Sequence, residues 1–266
     1  MYPIIHLGPL SIPSYGTMIL TGLIIGILFA SFSAHRYQVQ KIDIVLSTIL
    51  ASAGMIAGAK ILYMITVIPN LTSHLDYVKT HIPETISYLF GGYVFYGGLT
   101  GALLMYLFFC RRMEYDFLRF TNVIAPVIPL VHGFGRIGCF LGGCCYGIEY
   151  NGPLAVTYPH NDYVEGLGTV SRFPVQLLEA LINLILFLCL FFYAKKPRKD
   201  GSLLGIYLIC YSVIRFSLEF LRGDIERGIL LGISTSQWIS FLLIPLGIFL
   251  LKKNPETTET ATETDL

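Results

Sequence analysis

Charge is what this chain has least of. Asp, Glu, Lys and Arg make up 13 % of its 266 residues, where soluble domains average about 25 %. With 54 % hydrophobic residues, that deficit excludes an ordinary water-soluble domain. The formal net charge is only +1, so the basic excess of a nucleic-acid binder is missing and no nucleic-acid partner is expected. No internal repeat is visible, which argues against transporters built from inverted repeats. No basic segment precedes the first apolar stretch, and Ser31 to His35 offers no small-residue cleavage site followed by soluble sequence. That stretch therefore reads as a retained span and not as a cleaved signal peptide. The cysteines at 110, 139, 144, 145, 189 and 210 fall mostly inside apolar stretches and outline no disulfide framework.

What is present is a series of seven long apolar stretches, at about 14–34, 42–67, 88–110, 120–145, 174–194, 202–221 and 233–251. Each is long enough to cross a bilayer as a helix. The expected fold is an all-α integral membrane protein with seven transmembrane helices. Residues 1–254 form its one membrane domain, and the Thr/Glu-rich end 255–266 is a disordered cytoplasmic tail. Basic residues gather in alternate connections: His35, Arg36 and Lys41; then Arg111, Arg112 and Arg119; then Lys195, Lys196, Arg198 and Lys199; then Lys252 and Lys253. The connections 68–87 and 146–173 hold few, and only the short 222–232 segment, with Arg222 and Arg227, blurs the contrast. The positive-inside rule then puts the N-terminus outside and the C-terminus in the cytoplasm.

Against this apolar background one run stands out, Val131 to Gly147, VHGFGRIGCFLGGCCYG. It sets Arg136 inside a membrane stretch, where a charge costs a few kcal/mol or more without a partner or a role. Glycines at 133, 135, 138, 142 and 143 strip side chains from around it, so that backbone or ligand approaches closely. No carboxylate lies within four residues of Arg136, so its partner comes from another helix or from a ligand. At about 1.5 Å of rise per residue, the topology puts Arg136 in the outer half of its span. Arg215, Glu219 and Arg222, at i, i+4 and i+7 on one helix face, fall at the same level. So do Lys60 and Tyr63, and so do Tyr15, Tyr93, Tyr96, Gln176 and Glu179 at the outer ends of their spans. Each has a plainer reading: interfacial tyrosines, a snorkelling Lys60, a local Arg215–Glu219 pair. Their convergence points to a polar cavity open to the outer leaflet, lined by guanidinium forks that suit a lipid phosphate.

Cys139, Cys144 and Cys145 with His132 raise the alternative of a Cys3His zinc site, but the vicinal pair lacks the usual two-residue spacer. A redox or acyl-carrying thiol and small apolar packing are the other readings. No metal and no cofactor are expected.

Several stretches, in order and spacing, resemble the prolipoprotein diacylglyceryl transferases across nearly the whole chain. They are GPLSIPSYG at 8–16, GAKILYM at 58–64, GGYVFYGGLTG at 91–101, GRIGCFLGGCCYG at 135–147, RFPVQLLEA at 172–180 and YSVIRFSLEFLRGD at 211–224. The resemblance implies a multi-pass enzyme of the bacterial plasma (inner) membrane with its active site facing the outer leaflet. Such an enzyme moves the diacylglyceryl group of phosphatidylglycerol onto the lipobox cysteine thiol in prolipoprotein signal peptides. A thioether forms and glycerol phosphate is released. Partners are then phosphatidylglycerol, prolipoprotein signal peptides and membrane lipids. On this resemblance the catalytic residues are Arg136, Arg215, Glu219 and Tyr96. The substrate-binding residues are Tyr15, Lys60, Gly138, Cys139, Cys144, Gly147, Gln176 and Arg222, and the nucleophile is the substrate's own cysteine. Family members commonly carry Asn at the position of Cys139, an acidic residue at Cys144, His at Tyr96 and Arg at Lys60. The absent histidine removes the simplest general base, since a phenol is a poor one at neutral pH. The rival readings are a paralogue that binds anionic lipid without transfer, and a thiol- or zinc-dependent membrane enzyme using Cys139, Cys144 and Cys145.

Overall fold

The computed structural model describes residues 2–8, 10–159, 168–223 and 228–253. The tail read from 255 onward and Arg227 lie outside the described residues. Among those described, the elements run β1 (Ile4–Leu7), β2 (Leu10–Pro13), α1 (Ser14–Ser33), α2 (Lys41–Ser73), α3 (Leu75–Thr80), α4 (Ile82–Phe90), α5 (Phe95–Arg112), α6 (Phe117–Ile124), α7 (Ile128–Gly142), β3 (Val156–Thr157), β4 (Ser171–Arg172), α8 (Val175–Tyr193), α9 (Ser202–Glu219), β5 (Ile229–Leu230), β6 (Ile233–Ser234) and α10 (Thr235–Lys252).

The protein is mostly helical and multi-pass. Among the described residues six helical segments are long and apolar enough to cross a membrane: Ser14–Tyr37, Lys41–Ser73, Phe117–Gly142, Val175–Tyr193, Ser202–Glu219 and Thr235–Lys252. A seventh exists if α4 and α5, bent by 61° at the break between them, count as one span. The stretch expected to end near 145 stops being helical at Gly142, where Gly143 turns to φ +75°. Three short antiparallel pairs, β1–β2, β3–β4 and β5–β6, lie in the connections. Strands of two to four residues are too short for alternation to announce them.

Residues 39–117 form one compact unit, and the segments on either side of them form the other. In the larger unit α7 packs on α1 and α8, and α9 packs on α10. Missing side chains set the α1–α7 approach: a Cβ on Gly138 would stand 3.1 Å from the Tyr15 Cα, and one on Gly22 2.9 Å from the Phe134 Cβ. At one end of this unit polar groups clasp the chain where helices stop and leave carbonyls unsatisfied. The Arg36 guanidinium donates to the Ala194 carbonyl at 2.9 Å, and the Arg198 amide donates to the Tyr37 hydroxyl at 3.1 Å. Buried Asn122 donates to the Lys199 carbonyl at 2.8 Å and accepts from the Leu203 amide at 3.2 Å. Ser234 and Gln237 close a reciprocal capping box at the start of α10.

The smaller unit is built on α2 and α5, which run antiparallel with Gly54 and Gly58 facing Gly101 and Gly97. A Cβ on Gly54 would sit 2.5 Å from the Gly101 carbonyl oxygen, so the two backbones meet directly. This is the small-residue packing that membrane helices use where no hydrophobic force drives them together. At the other end of α2, the Tyr115 hydroxyl donates to buried Asp43 at 2.5 Å.

Candidate active site

The core of the site is a contact between α7 and the first turns of α8. On α8, Gln176, Glu179 and Asn183 share one face, each no more than 1 % exposed. The partner of Arg136 is Glu179: the Arg136 Nε stands 3.0 Å from one carboxylate oxygen, and the His132 Nε2 stands 3.4 Å from the other. The Arg136 Nε makes no directed hydrogen bond among the described residues, so this is a meeting of charges. His132 and Arg136 are one helical turn apart, which lets a single carboxylate engage both. The far side of the His132 ring faces the Tyr211 ring on α9, with centroids 5.5 Å apart.

Gln176 fastens the segment after α7 to α8. Its amide nitrogen donates to the Cys144 carbonyl at 2.8 Å, and its amide oxygen accepts from the Tyr158 hydroxyl at 2.9 Å. Burial pushes the Tyr158 phenol above its ordinary value while the Gln176 contact pulls the other way, so the phenol stays a donor. On α9, the Arg215 Nη2 stands 2.9 Å from a Glu219 oxygen and donates to the Ser236 hydroxyl at 2.8 Å. Its Nη1 is buried without a hydrogen-bond partner among the described residues. Glu179 and Arg222 both act electrostatically on Arg215, and both act on Arg136 as well. Among the described residues, three guanidinium groups therefore share a neighbourhood with two carboxylates, Glu179 and Glu219.

The remaining residues singled out by sequence take distinct places. Tyr15, half exposed in the first turn of α1, lies beside Arg136 and the thiols of Cys139, Cys144 and Cys145. Those three sulfur atoms all lie within 4.8 Å of one another, and His132 is not among them. Gly138 meets the backbone of Tyr15. Gly147 meets that of Phe173 and Leu221, and it pairs with Arg222 in an isolated bridge. Both glycines are thus close approaches between chain segments. Arg222 extends that seam, with the Ile148 amide donating to the Leu221 carbonyl at 3.0 Å and the Gly223 amide to the Tyr146 carbonyl at 3.1 Å. In the smaller unit, Lys60 donates to the Phe90 carbonyl and, at 3.0 Å, to the Gly92 carbonyl, with its ammonium 3.9 Å from the centre of the Tyr93 ring. It ties off the bend between α4 and α5. Tyr96, in the first turn of α5, is 41 % exposed, with its ring against Phe95.

Comparison with known sequences decides the family. A family profile described as prolipoprotein diacylglyceryl transferase matches residues 3–252, from β1 to the end of α10. The chain belongs to the prolipoprotein diacylglyceryl transferase family. It is 32 % identical over 240 residues to a phosphatidylglycerol–prolipoprotein diacylglyceryl transferase of Clostridium tetani, covering 90 % of this chain and 92 % of that one. It is 34 % identical over 258 residues to a second enzyme so named, from Clostridium perfringens, covering 94 % and 96 %. An Idiomarina loihiensis relative of the same name is 36 % identical over 202 residues, 74 % of this chain and 71 % of its own.

Within this family frame, sequence reasoning left Glu179 out of the chosen site although it sits in the same 172–180 stretch as Gln176. The signal was a carboxylate near the start of an apolar span, three residues from Gln176 and so on the same face. Asn183 and Ser236 carried no comparable signal.

Proposed function

We propose that the chain transfers the diacylglyceryl group of phosphatidylglycerol to the lipobox cysteine of prolipoprotein signal peptides. In this reading it works in the bacterial plasma membrane with its N-terminus outside, its C-terminus cytoplasmic and its site facing the outer leaflet. Residues 1–254 act as one membrane domain. The observation that carries the reading is the pair of arginines around Glu179, Arg215 buried and Arg136 mostly so, with the Arg215 Nη1 making no hydrogen bond among the described residues.

The chemistry asks for such groups. The cysteine sulfur attacks the glyceryl carbon, an S–C bond forms, and the C–O bond to phosphate breaks. Glycerol phosphate leaves with the electron pair, and the thiol proton passes to it or to water. Cations fixed beside the phosphate stabilise the charge that develops on the leaving group, the largest catalytic contribution available in a site shielded from water. Glu179 meets Arg136 at its Nε, which leaves the terminal nitrogens for the phosphate. Glu219 and Ser236 aim Arg215 in the same manner, Arg222 adds positive charge, and Tyr15 helps place the headgroup. Cys139 and Cys144 line this end of α7. Gln176, Gly138 and Gly147 hold the segments that frame it. Tyr96 and Lys60 are carried as residues of the reaction on the family resemblance alone.

The test is reconstitution with phosphatidylglycerol labelled in its acyl chains and a lipobox peptide. Thioether-linked peptide and released glycerol phosphate are expected. Lipid binding without product would overturn the reading in favour of an anionic-lipid-binding paralogue.

A further inference from the structure

We propose that Cys139, Cys144 and Cys145 bind a Zn2+ ion whose fourth position takes the acceptor thiol of the prolipoprotein. The inference rests on the transferase reading above, in which that thiol must shed its proton but no residue has been assigned to receive it. His132, the imidazole nearest the arginines, stands against Glu179 on one side and Tyr211 on the other, occupied in holding the α7–α8–α9 contact.

The geometry favours a metal where the spacing alone argued against one. The three sulfur atoms lie within 4.8 Å of one another. Tetrahedral zinc with Zn–S bonds of about 2.3 Å wants its sulfurs about 3.8 Å apart, so the cluster has at most about an ångström to close. Vicinal cysteines reach this arrangement because the chain reverses at the end of α7. Gly143 takes φ +75°, and Cys145 takes φ +59°, a region that side chains seldom enter. The Cys144 amide donates to the Cys139 carbonyl at 3.1 Å while Gln176 holds the Cys144 carbonyl from α8. Small apolar packing requires none of this.

Exposure and charge agree. Cys139 is buried, Cys145 is intermediate and Cys144 is exposed, so the cluster is closed at the helix and open at the loop. Three protein ligands with an open position are the pattern of reactive zinc, whereas structural zinc is enclosed by four. Three thiolates on Zn2+ leave one net negative charge, and Arg136 and Arg222 stand near enough to act on Cys145. A thiol that coordinates zinc is deprotonated outright. Here it would be bound one helical turn from Arg136, which holds the departing phosphate. The zinc–sulfur bond forms as the proton leaves to water. The sulfur then attacks the glyceryl carbon, the C–O bond to phosphate breaks, and zinc is neither oxidised nor reduced.

The experiment uses the whole protein in detergent or nanodiscs, purified without chelator. About one zinc per chain is expected by elemental analysis. After exchange for Co2+, thiolate-to-cobalt charge-transfer absorption should rise by roughly a third when lipobox peptide adds a fourth sulfur to three. Cys144→Ser, at the exposed position, should lose the metal and slow transfer at least 100-fold. Full transfer by protein stripped of zinc, or a cobalt spectrum with no thiolate band, would overturn the metal site. A thiolate band unchanged by peptide would overturn the fourth-position assignment. Absence of transfer from zinc-replete protein would sink the transferase reading instead, and the cobalt spectrum would still decide the metal.

Discussion

Replacing Arg136 by glutamine separates the two jobs its geometry gives it, because one job can be restored without the other. Glu179 is 1 % exposed and lies 3.0 Å from Arg136. Stranding one member of a buried pair costs about 3–5 kcal/mol. His132, 3.4 Å from the other carboxylate oxygen, remains as a second partner, which puts the expected loss for Arg136→Gln near the lower end, about 3 kcal/mol. Adding Glu179→Gln removes the stranded charge, and the double variant should return to within about 1 kcal/mol of the parent, since a buried pair and its neutral replacement are often close in stability. Transfer should not return. A positioned cation on a developing phosphate charge is worth about 10²–10³ in rate, and neither variant has one at 136. The assay is unfolding in detergent alongside transfer from labelled phosphatidylglycerol, at matched protein. If the double variant regains transfer together with stability, Arg136 only neutralises Glu179 and the phosphate role is wrong.

Three further outcomes follow from the same contacts. Arg215→Ala should lower transfer by about 10²-fold or more, and Arg215→Lys should recover little of it, because a single ammonium held by Glu219 and Ser236, as Nη2 is, has no second nitrogen like Nη1 to offer the phosphate; wild-type turnover in the lysine variant would refute this. Gln176→Leu strands the buried Tyr158 hydroxyl and should destabilise the protein by about 1–3 kcal/mol, read as a lower unfolding midpoint; an unchanged midpoint would contradict the account of Gln176 as the fastening between α8 and the segment after α7. Gly97→Leu drives a side chain into Leu62 and the Gly58 backbone and should cost about 1–3 kcal/mol or more, seen as faster proteolysis within residues 39–117.

The helices were legible because apolar length is a strong signal, and each of the seven stretches contains a helix. Where the lengths erred, a local cause is visible: α2 continues through Pro69 to Ser73, and α7 stops early at its glycines. The facing Gly54-Gly58 and Gly97-Gly101 pairs were present in the sequence as two four-residue spacings, but nothing in one dimension says which helix meets which. Arg136 announced itself by its cost, whereas Glu179, its partner, lies 43 positions downstream. Arg215 and Glu219 were readable as a pair because helical periodicity places them together. The closeness of the three thiols was not legible from spacing, which presumes a continuing helix or a common loop and could not foresee left-handed backbone at Gly143 and Cys145.

The clasp made by Arg36, Tyr37 and Asn122 bears on how insertion of this chain should be studied. Arg36 and Arg198 are among the basic residues that the positive-inside rule counts, yet both are engaged with backbone: Arg36 reaches the Ala194 carbonyl, and Arg198 grips the Tyr193 carbonyl and lies over the Tyr193 ring. Residues that the positive-inside rule counts as an address thus also bind helix ends together. Neutralising either one therefore changes two things together, the direction in which the chain threads and the firmness with which α8 is finished. The Lys195 ammonium lies 4.5 Å from the centre of the Phe192 ring, whereas the Lys196 side chain makes no contact among those described, so a change of charge at Lys196 would speak of threading with less interference from the masonry.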